Sequence, residues 1–97
     1  MFINLSNFQP KAGHEAELKE YFVNRILPIT MNFAGLVAAE VVVLPDGTIT
    51  NLEFWESEAA WKALVAELTA RTNEFNDFEG LVEKFWEHPV ISLQSKK

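Results

Sequence analysis

The chain has 97 residues, of which 48% are hydrophobic and 12% aromatic, with a formal net charge of −6. Such apolarity excludes a disordered chain, and the acidic balance argues against nucleic acid and anionic membrane surfaces as partners. Without cysteine there are no disulfides and no thiol chemistry, and no apolar run approaches the ~20 residues of a membrane span. The first residues are strand-like without a basic start, so no signal peptide is expected, and a cytoplasmic protein is predicted. Residues 1–97 are expected to form one domain.

Met1 to Phe8 reads as a strand, with Phe2, Asn4, Ser6 and Phe8 on one side and Ile3 and Leu5 on the other. The turn from Pro10 to Gly13 ends it. From His14 the pattern becomes helical, with Leu18, Phe22, Arg25/Ile26, Ile29 and Phe33 as one stripe. Pro28 lies inside that stripe and predicts a kink or break near Ile26 to Pro28, because proline lacks an N–H and crowds the preceding turn. Gly35 closes the helix. Leu36 to Leu44 is a second, strongly apolar strand.

Pro45-Asp46-Gly47 then makes a turn into a third strand from Thr48 to Glu56. A two-residue loop would need an N–H from Pro45. A three-residue loop instead uses the fixed φ of Pro45 and a positive φ at Gly47, and pairs Leu44 with Thr48. This register places Val37, Ala39, Val41 and Val43 on one face with Ile49, Asn51, Glu53 and Trp55. The other face carries Ala38, Glu40, Val42, Leu44, Thr48, Thr50, Leu52 and Phe54. Both faces are largely apolar, so both are expected to be covered.

Ser57 is an N-cap with Glu58 behind it, and Trp61, Leu64, Val65 and Leu68 recur at helical spacing to about Arg71. A third helix is predicted from about Glu74 to Glu87, on the stripe Phe75, Phe78, Val82 and Phe85/Trp86, weakened by Gly80 and stopped by Pro89. Val90 to Gln94 reads as a last strand. The order β-α-β-β-α-α-β implies an α+β, ferredoxin-like plait: a four-stranded antiparallel sheet with helices on one face. The second sheet face, with Val42, Leu44, Leu52 and Phe54, predicts a homodimer formed by pairing two sheets.

Five residues stand out as candidates for a site. Asn51 and Trp55 share a strand face about 13 Å apart at ~3.3 Å per residue, and Trp61 follows on the next helix. Glu53 lies between the first two, where an apolar cleft would raise its pKa and let it act as a base. Tyr21 is the one phenol, set beside the stripe of the first helix. The histidines, His14 and His88, lack the clustered partners of a metal site, and there is no glycine-rich phosphate loop, so neither a metal nor a cofactor is expected.

The run Asp46-Gly47-Thr48, Asn51, Trp55-Glu56-Ser57-Glu58 and an aromatic at 61, with the element order over nearly the whole chain, resembles the antibiotic biosynthesis monooxygenase family of the dimeric α/β-barrel superfamily. The resemblance implies a dimeric α/β barrel and a cofactor-independent monooxygenase acting on a small aromatic phenol or quinol-type substrate. It assigns the catalytic pocket to Asn51, Trp55 and Trp61. Trp61 stands where the family's quinone-forming enzymes have a tyrosine, and Arg71 is the nearest residue to their arginine. The alternative is a non-catalytic small-molecule-binding or assembly module of the same fold, or a polyketide cyclase-like enzyme, which the Phe85-Trp86-Glu87 end resembles.

Overall fold

The computed structural model describes residues 1–96. Its strands are β1 (Phe2–Pro10), β2 (Leu36–Val43), β3 (Ile49–Trp55) and β4 (Val82–Val90). Its helices are α1 (Glu15–Tyr21), α2 (Leu27–Met31) and α3 (Glu58–Ala70). The sheet is antiparallel in the order β2-β3-β1-β4, with the helices on one face. This is the ferredoxin-like α+β plait.

The β2–β3 hairpin has the register that its turn chemistry predicts. The N–H of Leu44 donates to the Thr48 carbonyl at 2.8 Å and that of Gly47 to the Leu44 carbonyl at 2.9 Å, with Gly47 at φ +88°. Val43 pairs with Ile49, Val41 with Asn51 and Ala39 with Glu53, but a bulge between Leu36 and Ala38 shifts the ladder, so that Leu36, and not Val37 as the unbroken register predicts, lies opposite Trp55. The effect of Pro28 is equally specific. Residues Phe22–Ile26 form a π-helical segment between α1 and α2, and the Leu27 N–H reaches back five residues to the Phe22 carbonyl. Pro28 then falls in the first turn of α2, where a missing N–H is tolerated.

Two expectations are overturned. The helix predicted from Glu74 to Glu87 is absent: Thr72–Glu74 and Glu79–Leu81 are single 3-10 turns, and the chain is β4 from Val82 onward. The last strand is therefore Val82–Val90 and not Val90–Gln94, and residues 92–94 carry no regular structure. β1 lies at the centre of the sheet and needs a partner on each side. Val82 to Val90 supplies the second, with Phe8 opposite Phe85 and Asn7 opposite Trp86. That pairing outweighs a helical stripe already weakened by Gly80. Pro89, read as a helix stop, pairs with Asn4 inside this strand; β4 is an edge, where a missing N–H is tolerated.

Leu18, Tyr21, Phe22, Ile26 and Ile49 form the core, with Phe8, Phe75 and Phe78 packed against it. The face of the sheet turned to the helices carries Phe2, Asn4, Ser6 and Phe8 of β1 opposite Trp55, Glu53, Asn51 and Ile49 of β3. The other face carries Ile3, Leu5, Leu52 and Phe54, again in register. Exposed Val42 lies on that same outer face, opposite Thr50.

Candidate functional site

On the helix side of the sheet five polar side chains lie among aromatic and aliphatic ones on adjacent strands: Asn4 and Ser6 of β1, Asn51 and Glu53 of β3, and Glu87 of β4. They form the floor of a cavity of about 350 Å³. Its walls are mostly apolar, with Phe22 from the π-helical segment, Trp61, Leu64 and Leu68 from α3, and Phe75 and Phe78 from the segment between α3 and β4, and are interrupted by Thr30, Thr69, Thr72 and Glu79. α3 begins at the predicted cap, where the Ser57 hydroxyl oxygen accepts the Ala60 N–H at 3.2 Å. One turn later the Trp61 ring stacks on Phe2, with centroids 5.1 Å apart.

Glu53 is the centre of the floor. It is buried, and both its oxygens accept side-chain hydrogen bonds: Asn51 Nδ2 donates to Oε2 at 2.6 Å and Trp55 Nε1 to Oε1 at 3.1 Å. Asn4 Nδ2 donates to Glu87 Oε2 at 3.2 Å. Burial pushes the Glu53 carboxyl above its ordinary range; the two donors pull the other way, and the Glu87 charge adds to the rise. A carboxylate only accepts, so it orients the amide facing it and turns the amide oxygen away. Asn4 Oδ1 and Asn51 Oδ1 are buried and have no hydrogen-bond partner among the described residues.

The five candidates thus fall into three groups. Asn51, Glu53 and Trp61 line the cavity. Trp55 does not: it is fully buried behind the floor, edge-on to Phe33, and reaches the site through its bond to Glu53. Tyr21 also lies outside the lining. Its hydroxyl donates to Asp77 Oδ1 at 2.8 Å, the Arg25 guanidinium sits 4.4 Å over its ring, and it packs on Phe78. Tyr21 therefore steadies the segment that carries the cavity's aromatic wall.

Asn4, Ser6 and Glu87 were not singled out from the sequence. The first two were visible as polar residues alternating with Phe2 and Phe8 on one strand face. Glu87 was hidden because its strand read as a helix. The cavity also lies over β1, β3 and β4, whereas Val37, Ala39 and Val41 of β2 line none of it. Among the described residues, no cluster of three or more His, Cys, Asp or Glu is placed to hold a metal ion, and no helix is long and apolar enough to cross a membrane.

Three solved structures share the fold. SnoaB of Streptomyces nogalater, a cofactor-independent oxygenase, superposes with a TM-score of 0.77 at 16% identity, covering 97% of this chain and 94% of that one. The ActVA-Orf6 monooxygenase of Streptomyces coelicolor, in complex with nanaomycin D, has a TM-score of 0.74 at 15% identity, covering 99% and 90%. Protein SO0527 of Shewanella oneidensis has a TM-score of 0.76 at 23% identity, covering 92% and 87%. No curated protein matches the sequence. The sequence model of the antibiotic biosynthesis monooxygenase family matches residues 1–68, from β1 into α3, and leaves Phe75, Phe78 and Glu87 beyond the matched segment. The chain belongs to the antibiotic biosynthesis monooxygenase family.

Proposed function

We propose that this protein is a cofactor-independent monooxygenase acting on a small aromatic phenol or quinol-type substrate. The observation that carries the reading is the buried Glu53 carboxyl, held by Asn51 and Trp55 beneath an aromatic-walled cavity. Family membership and the fold shared with two Streptomyces oxygenases support it. In this reading the substrate ring lies among Trp61, Phe22 and Phe78 with a hydroxyl at the floor. Glu53 takes the hydroxyl proton, for which its raised pKa suits it. The ring then reacts with dioxygen at carbon: one oxygen atom becomes a quinone carbonyl, the other leaves as water, and the substrate supplies all the electrons. The apolar walls keep bulk water from the reacting ring.

One feature favours a second reading, a non-catalytic binding or assembly module. Trp61 offers an indole N–H where the related quinone-forming enzymes offer a phenol, and it is stacked on Phe2. Oxygen uptake with a panel of anthrols and naphthoquinols separates the two. Uptake that is stoichiometric with quinone and lost in Asn51→Ala supports the oxygenase; binding without uptake supports the module. A homodimer through the outer sheet face and a cytoplasmic location belong to the same proposal, the first resting on Val42, Leu52 and Phe54 and the second on the cysteine-free composition.

A further inference from the structure

We propose that the cavity takes a bicyclic or similarly ring-sized ligand whose buried end is a hydrogen-bond donor, an amine or adjacent hydroxyls, and that it turns away anionic ligands. The inference rests on reading the cavity as the ligand site. Two carboxylates, Glu53 and Glu87, meet at its floor, and a third, Glu79, lines its wall. Asn51 turns its nitrogen to Glu53 and Asn4 turns its nitrogen to Glu87. The two amide oxygens, on residues only 1% and 2% exposed, are left without a donor among the described residues. Asn4 pairs with Glu53 across β1 and β3, so Asn4 and Asn51 are diagonal neighbours on the cavity face.

With the amide nitrogens of Asn4 and Asn51 already turned to Glu87 and Glu53, a ligand group at this floor meets carboxylate acceptors, which a donor satisfies and another acceptor does not. Among the described residues that line the cavity none is Lys, Arg or His, so nothing in the walls balances an anion. Two carboxylates in a partly desolvated floor repel one strongly. The aromatic walls accept a flat ring, and they also favour an ammonium group by cation–π attraction. A volume of about 350 Å³ is at the small end of ligand cavities. For the oxygenase this means that the substrate enters as a neutral hydroxyl compound and loses its proton only inside the site.

The test is binding by the full chain of three naphthalenes of matched size, 2,3-dihydroxynaphthalene, 2-(aminomethyl)naphthalene and 2-naphthoate, followed at pH 7 by calorimetry and by amide chemical shifts. The diol or the amine is expected to bind at least about tenfold more tightly than the naphthoate, with shifts at Asn4, Asn51 and Trp61. Glu87→Gln should narrow the gap between amine and naphthoate, and Glu87→Lys should narrow it further or reverse it. A leading diol insensitive to Glu87→Gln identifies hydroxyls as the natural donor; a leading amine sensitive to it identifies an amine. Naphthoate binding as tightly as either donor overturns this inference and leaves the site standing. If no probe shifts the lining residues, both this inference and the site reading fail. None of these readouts depends on oxygen uptake.

Discussion

Glu53 is pulled toward ionisation by Asn51 and Trp55 and away from it by burial, and burial prevails. A carboxyl with a raised folded pKa binds more protons folded than unfolded, so stability falls as pH rises from the unfolded value through the folded one. Glu53→Gln removes that loss. Denaturant titrations between pH 4 and 8 should show the variant gaining on the parent as pH rises; a constant difference would contradict the raised pKa. Trp55→Phe keeps an aromatic ring, smaller than the buried indole, and removes the donor to Oε1. It should cost about 2 kcal/mol or more, the lost hydrogen bond plus the void left by the smaller ring, and move the Glu53 titration, followed by carboxyl NMR, still higher. Asn51→Ala should cut turnover while costing about 1–2 kcal/mol. These residues were legible because the turn at Pro45 to Gly47 fixes the face that Asn51, Glu53 and Trp55 share. That Trp55 lies behind the floor was not legible, since a shared strand face does not say which side chains a cavity reaches. The pairing of each amide with its own carboxylate was also hidden, because it depends on rotamers and on contacts made across three strands.

At the scale of the element, local chemistry was a reliable guide wherever it acted without competition. The hairpin turn, the Ser57 cap and the interruption at Pro28 each follow from a few adjacent residues. Loss of the cap is a direct check: Ser57→Ala removes the acceptor of the Ala60 N–H and should lower stability by about 1 kcal/mol in denaturant unfolding, while Ser57→Asp should retain most of it. The segment from Thr72 to Val90 shows the opposite case. Its aromatic residues recur at helical intervals, but Phe75 and Phe78 serve two short turns and Phe85 serves a strand. What decides between helix and strand there is the free edge of β1, formed by residues about eighty positions earlier in the chain. A window of local sequence does not contain that information. The misreading had one functional consequence: Glu87 was placed at a helix end, when pairing with Ser6 brings it to the cavity floor.

The whole molecule has one covered sheet face and one that the chain leaves open. Helices and the aromatic segment lie over the side with Asn51 and Glu53. The opposite side presents Ile3 and Leu5 beside Leu52 and Phe54, with Val42 half exposed at 50%. A contiguous apolar surface of this kind marks an interaction site. Its occupant, on the present proposal, is the same face of a second copy. A two-fold pairing needs a self-complementary patch, and the apolar centre of Ile3, Leu5, Leu52 and Phe54, bordered by Asn7, Thr50, Glu40 and His88, can meet its own copy there. Each ~100 Å² of apolar surface kept from water is worth ~2.5 kcal/mol, a large share of what a domain of this size has to spare. Sedimentation of the unmutated protein at micromolar concentration should therefore give twice the chain mass of 11.0 kDa. Phe54→Glu puts a charge in the middle of the face and should produce aggregation or a marked loss of stability. Glu40, on the same face beside Leu52, is exposed, and Glu40→Gln there should leave the dimer intact. A well-folded monomer from the unmutated chain would overturn the pairing, and the open face would then require a different partner.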